Sequence, residues 1–134
     1  MIVVDTNIIG YLLIPGQFSA SAEAVLRRDP DWHAPILWRS EFRNVLARYV
    51  RVGELALERA LAIIEQAETL MQGAEHDVKS PDVLRLAASS GRQAYDCEFI
   101  ALADDLNVVL VTCDDRLSTS FPARAKSPDE FLKA

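Results

Sequence analysis

The chain has 134 residues, half of them apolar and a quarter charged, with 20 acids against 14 bases and a net charge of −6. This composition excludes a disordered chain, a disulfide scaffold and a basic nucleic-acid coat, and no segment approaches the roughly 18 apolar residues that cross a bilayer. A chain of this mass should expose roughly 7,000 Å² when folded against roughly 21,600 Å² unfolded, so residues 1–134 are read as one domain with its own core. Met1 to Asp5 lacks the basic stretch of a signal peptide, and the chain is expected to be cytoplasmic with no membrane contact.

Ile2-Val3-Val4 is a β-branched run that predicts a first buried strand. Asp5-Thr6-Asn7 offers helix-capping side chains, and a short helix is expected from Ile8 to Leu13, stopping near Pro15-Gly16. A second helix is expected from Ser19 to Arg28, ended by Asp29-Pro30, and a second strand from Trp32 to Ile36 despite Pro35. Trp38, Phe42, Val45, Leu46 and Tyr49 fall on one side of a helix running from Trp38 to Val52 and closed by Gly53. Another helix is expected from Leu55 to Met71, then a short strand from His76 to Lys79. Ser80-Pro81-Asp82 reads as a helix start with Ser as N-cap and Pro first in the helix, and Gly91 breaks that helix. A helix over Ala94 to Leu106 and the strong strand signal Val108 to Val111 follow. Ser127-Pro128-Asp129-Glu130 resembles a capping box opening a final short helix. Strands alternating with helices predict an α/β fold with a parallel sheet.

The informative residues are acids in places that should be apolar. Asp5 follows the first strand directly, and Asp114, with Asp115 beside it, follows the strongest strand. Ligands of open α/β sheets bind beyond the carboxyl ends of the strands, so two strand-end aspartates fit one crevice. Glu41 lies three residues after Trp38 and four before Val45, and Asp96 stands in the same relation to Phe99 and Ile100, so both share a helix face with apolar residues. Taken singly, each has a plainer reading: Asp5 or Asp96 as an N-cap, Glu41 at the core's edge reaching solvent, Asp114 or Asp115 in a turn. Taken together, four converging carboxylates would repel one another unless a cation stood between them, and an all-oxygen site suits Mg²⁺ or Mn²⁺ rather than Zn²⁺.

These residues resemble PIN-domain ribonucleases and, within them, the VapC toxins of toxin–antitoxin pairs. The matching pieces are Val3-Val-Asp-Thr-Asn7, Ser40-Glu-Phe-Arg-Asn-Val-Leu46, Ala94-Tyr-Asp96 and Leu110-Val-Thr-Cys-Asp114, whose order and spacing run over nearly the whole chain. The resemblance implies a three-layer α/β/α sandwich around a central parallel sheet. It implies that Asp5, Glu41, Asp96 and Asp114 hold Mg²⁺ or Mn²⁺, with Asp115 as a further candidate. It also implies that Thr6 or Asn7 and Thr112 orient carboxylates or a water. The implied activity is endoribonucleolytic cleavage of RNA by metal-assisted phosphodiester hydrolysis, in a homodimer whose site a cognate antitoxin blocks.

No His or Ser nucleophile is needed, and His33 and His76 are expected at the surface or at a strand end, outside the site. Arg43, Arg92 and Arg116 lie near the acids in sequence and are the candidates for holding RNA. Cys97 and Cys113 sit beside two of the acids and are expected to be small core fillers, the alternative being a thiol near the site open to oxidation. A haloacid-dehalogenase-like phosphatase would need an acid where Asn7 stands. A phosphate-accepting receiver domain would need a Lys after a strong strand, which neither Lys79 nor Lys126 provides. The remaining alternative is an inactive module of the same fold that only binds RNA or protein. Partner docking is expected on the apolar stripes of the helices from Ser19 to Arg28 and from Leu55 to Met71.

Overall fold

The computed structural model describes residues 1–134. Its backbone runs β1 (Ile2–Val4), α1 (Thr6–Leu13), α2 (Ser19–Arg28), β2 (Trp32–Pro35), α3 (Leu37–Arg51), α4 (Leu57–Leu70), β3 (Glu75–His76), α5 (Ser80–Ser90), α6 (Ala94–Leu106), β4 (Leu110–Val111), α7 (Asp115–Ser120), β5 (Ala125–Lys126) and α8 (Pro128–Lys133). The five strands form one parallel sheet in the order β3-β2-β1-β4-β5. All three residues of β1 are buried, as a strand covered on both faces requires.

The order of the strands fixes where the helices go. From β1 the chain moves to β2 and then β3 on one side, and from β3 it returns across to β4 and then β5. Right-handed crossovers therefore put α1–α4 on one face of the sheet and α5–α7 on the other, the α/β/α arrangement expected. On the second face α6 lies against β1, β2 and β4, with α5 packed outside it. The turning point is the β1–β4 pair, in register Val3 with Leu110 and Val4 with Val111. The chain leaves those two strands toward opposite faces, so a crevice opens past their carboxyl ends.

The core is built from β1, β2, β4 and the inner faces of α1, α3, α4 and α6. Trp38, Phe42 and Leu46 recur every fourth residue on α3 and are all buried. Phe42 fills the space against α1 at Gly10, where a Cβ would lie 3.4 Å from its ring. The helix after β3 ends at Gly91 (φ 72°) and α6 ends at Asn107 (φ 55°), both in the left-handed conformation that stops a helix.

Several expectations shift. α1 begins at Thr6, not Ile8. β2 ends at Pro35, which lies past the last residue paired with β1, so its missing N–H costs no ladder bond. The third strand is Glu75–His76 rather than His76–Lys79. Only Leu110–Val111 of the run from Val108 is strand. Lys79, not Ser80, is the N-cap of α5, although Pro81 does stand at its start. The capping box at Ser127 is present, with Ser127 Oγ accepting from Glu130 N–H and Glu130 accepting from Ser127 N–H. α7 and β5 have no counterpart among the elements expected from the sequence.

His33 is buried on β2, not at the surface: its Nδ1 lies 2.8 Å from Nε2 of His76 and its Nε2 lies 2.8 Å from Asp31. The ring satisfies its polar atoms along the edge of the sheet, which is why a buried imidazole is tolerated there. His76 is the strand-end residue expected. Cys97 is buried as expected, but Cys113 is exposed, because it follows β4 at the open end of the sheet.

Phe42→Ala should cost about 3–5 kcal/mol of stability, measured by urea denaturation, since it opens a cavity between α1 and α3 that neither helix can close.

Candidate active site

The acids gather at the crevice past β1 and β4. Asp5 stands at the N-cap position of α1, yet its side chain makes no capping bond. Instead Oδ2 of Asp5 accepts from Thr112 Oγ1 at 2.7 Å, across 107 residues of chain. The same hydroxyl oxygen accepts from Asp114 N–H at 3.0 Å. Thr112, fully buried, thus ties the end of β4 to the end of β1 through one atom.

Glu41 projects from α3 toward this point, where its Oε1 accepts from Thr6 Oγ1 at 2.7 Å. Of the Thr6–Asn7 pair, it is Thr6 that reaches a carboxylate; Asn7 is exposed and faces a neighbouring cavity. Asp96 lies in the first turn of α6, not at its N-cap, which is Gln93. Asp114, for which the plainer expectation is a turn, is the N-cap of α7, its Oδ1 accepting from Arg116 N–H at 2.9 Å. Asp115 opens α7, is exposed, and exerts its charge on Cys113.

Charge binds the four acids into one group. Burial pushes the Asp5 carboxyl above its ordinary range; the Thr112 bond offsets this in part, and the charges of Asp96 and Asp114 add to it. Burial likewise raises Glu41, with Thr6 opposing and Asp5, Asp96 and Glu98 adding. Asp96 is raised by burial and then by Asp114, against Arg116 and Arg92. Glu98, itself raised by burial, is a further acid near the group that is not among the expected site residues. It sits two residues after Asp96 on a helix and has no spacing signal to mark it.

Of the three candidate arginines, two are at the site. The Arg116 side chain lies 3.4 Å from Asp114 Oδ1, and Arg92 acts on Asp96 and Cys97. The Arg92 Nε is buried and has no hydrogen-bond partner. Arg43 is two residues from Glu41, so it points to the opposite side of α3, where its charge reaches Glu75. Burial raises the Cys97 thiol, which leaves it an unreactive filler.

This arrangement has the topology and the donor chemistry of a divalent-cation site. Its acidic side chains offer only oxygens, and burial together with mutual repulsion makes three of the four acids hold their protons more tightly than usual. As the side chains stand, no three of them close on one point tightly enough to hold an ion.

A family model described as PIN domain matches residues 2–120. The chain belongs to the PIN-domain family. This PIN domain is 29% identical over 125 residues to the protein named Ribonuclease VapC3 of Pyrobaculum aerophilum, covering 91% of this chain and 95% of that one. Its fold is shared with solved structures. PAE2754 from Pyrobaculum aerophilum matches with a TM-score of 0.77 and 21% identity, over 98% of this chain and 93% of that one. FitAB bound to an IR36 DNA fragment matches with a TM-score of 0.71 and 22% identity, over 96% of this chain and 95% of that one. FitAcB from Neisseria gonorrhoeae matches with a TM-score of 0.70 and 20% identity, over 96% of this chain and 98% of that one. No helix of this PIN domain is long and apolar enough to cross a membrane.

The raised acids set a pH dependence. A carboxyl whose folded pKa lies above its unfolded value stabilises the fold fully below the unfolded pKa and loses that contribution as pH rises through the folded pKa. Asp5→Asn keeps the acceptor for Thr112 and removes the buried charge. In EDTA at pH 8 its thermal midpoint should exceed that of the unsubstituted chain by a few degrees, and the gap should shrink as pH falls toward 4.

Proposed function

We propose that this PIN domain is a metal-dependent endoribonuclease that hydrolyses RNA phosphodiester bonds, and that it is the toxin of a toxin–antitoxin pair. The observation that carries the reading is the carboxylate group held by Thr6 and Thr112 at the turning point of the sheet. Membership of the family and the VapC ribonuclease relative support it. They also remove the phosphatase and receiver alternatives, which need other folds.

Asp5, Glu41, Asp96 and Asp114 are the proposed holders of Mg²⁺ or Mn²⁺. When bound, the ion activates a water and neutralises charge at the scissile phosphate and the leaving oxygen. The protein's own part is positioning. Thr112 holds Asp5 by its Oδ2, and Thr6 holds Glu41 by its Oε1. Arg116 and Arg92 flank Asp114 and Asp96 and are the proposed phosphate contacts, since a guanidinium matches phosphate oxygens in pairs. Asp115 and Arg43 have no part in this scheme.

The proposed partners are RNA, a second copy of the chain and an antitoxin. For the antitoxin we assign the groove between α3 and α4, floored by Leu46, Val50, Leu57, Leu61 and Ile64 and edged by Arg43 and Arg51. Leu57 and Leu61 are more than half exposed there, whereas the stripe of α2 is spent on the core through Ala22 and Val25. The arginine edges suit an acidic, amphipathic segment.

Purified protein should cut cellular RNA into discrete fragments in Mn²⁺ or Mg²⁺ and not in EDTA. Asp5→Asn and Asp96→Asn should fall to background with the fold retained by circular dichroism. Thr112→Val should keep about 1–10% of the activity, because it unseats Asp5 without removing a ligand. Full activity in Asp5→Asn would refute the assignment.

A further inference from the structure

A cavity of about 400 Å³ lies beside the acids, between α1, the Ile14–Ser19 turn and α3. One face of α1 and one face of α3 line it. On α1, Asn7, Gly10, Tyr11 and Ile14 share a face at helical spacing. On α3, Val45, Arg48 and Tyr49 follow Glu41 at four, seven and eight residues, the same face of the helix. Seven residues of α-helix rise about 10 Å, or about three steps of stacked bases at 3.4 Å each.

The lining is unusual for a surface cleft of an acidic protein. Tyr11 and Phe18 pack with ring centroids 4.9 Å apart and planes tilted by 43°. Phe18 is 45% exposed, so its ring stands open to solvent, while Tyr11 packs against the core behind it. Tyr49 faces the same space, and the charge of Asp5 reaches the Tyr11 hydroxyl. Arg48 is exposed and enters none of the salt bridges that occupy other arginines. Aromatic faces with a free guanidinium, beside a phosphodiester-cleaving centre, are the elements by which proteins hold unpaired bases.

We propose that this cavity is a nucleobase subsite: Phe18 and Tyr49 hold an unpaired base of the RNA a few nucleotides from the cut, and Arg48 holds a phosphate beside it. The subsite rests on the ribonuclease reading for its position relative to the cut, but base binding there stands or falls on its own. It makes the enzyme prefer single-stranded or looped RNA, because a paired base cannot enter a side pocket. Selectivity then comes from stacking and backbone path rather than from an edge-by-edge reading of bases.

The test uses two readouts on the full chain. The first is steady-state cleavage of a short single-stranded RNA in Mn²⁺ by the unsubstituted protein, Phe18→Ala, Phe18→Leu, Tyr49→Ala and Arg48→Ala, with Leu84→Ala on α5 as a distant control. The second is fluorescence of a 2-aminopurine-labelled RNA of the same length, titrated with each protein in EDTA. Phe18→Ala and Tyr49→Ala should each raise KM roughly tenfold with kcat within a factor of about two, and each should lose the quenching that stacking produces. Phe18→Leu, which keeps the packing but not the π-face, should behave like Phe18→Ala. Unchanged KM and quenching in these folded variants, with the unsubstituted protein active, would overturn the subsite and leave the ribonuclease reading intact. Quenching that depends on Phe18 in a protein that cleaves nothing would uphold the subsite and sink the ribonuclease reading. Loss of co-purifying antitoxin without any change in KM or quenching would mean that the cavity serves a protein partner, and would also overturn the proposal.

Discussion

Everything at the functional end of this molecule depends on β1 and β4 lying side by side and parallel. Val3 and Val4 pair with Leu110 and Val111, and both strands are buried on both faces. Hydrophobic burial on either side clamps the pair, since each strand's side chains alternate between the two helical layers. The next residues then have nowhere to go but the open end of the sheet. That is why Asp5, Thr112 and Asp114 meet there although they come from opposite ends of the chain. Thr112 Oγ1 joins the two strand ends by side chain, beside the backbone bond from Asp5 N–H to Val111 O.

The acids are costly where they stand. Burial and mutual repulsion both disfavour their ionised forms, and only Thr6, Thr112 and the nearby arginines relieve this. A fold selected for stability alone would place apolar or neutral residues at Asp5 and Glu41. The strain is local, though, because the core that carries β1 and α3 is continuous and does not involve the carboxylates. The same rigidity that supports the fold keeps the charges close.

Legibility followed the physics of each element. β1 and α3 announce themselves by local composition and by long, regular burial. The aspartates after the strands are readable because a charge beside a buried run has few plain explanations. Glu41 and Asp96 needed helical phase, and that phase was correct. β5 and β3 were hard because two residues carry no period, and their strand character comes wholly from a neighbour's ladder. α7 was hidden because Asp114 looked like a turn residue, and a cap and a turn use the same side chain in the same way. His33 was misplaced because its partners, His76 and Asp31, are brought to it by strand pairing that no local window contains. Glu98 has no signature at all: it gains its meaning from α3 across the crevice.

The bond between Asp5 and Thr112 closes a loop of more than a hundred residues. A growing polypeptide therefore carries Asp5 for more than a hundred residues before the strand that seats it has been made. Fragments released by premature termination or by proteolysis after α6 would hold three of the four acids and still lack the strand that seats the first. The carboxylate group is therefore completed only when β4 has formed beside β1, and the three acids that precede β4 do not complete it alone.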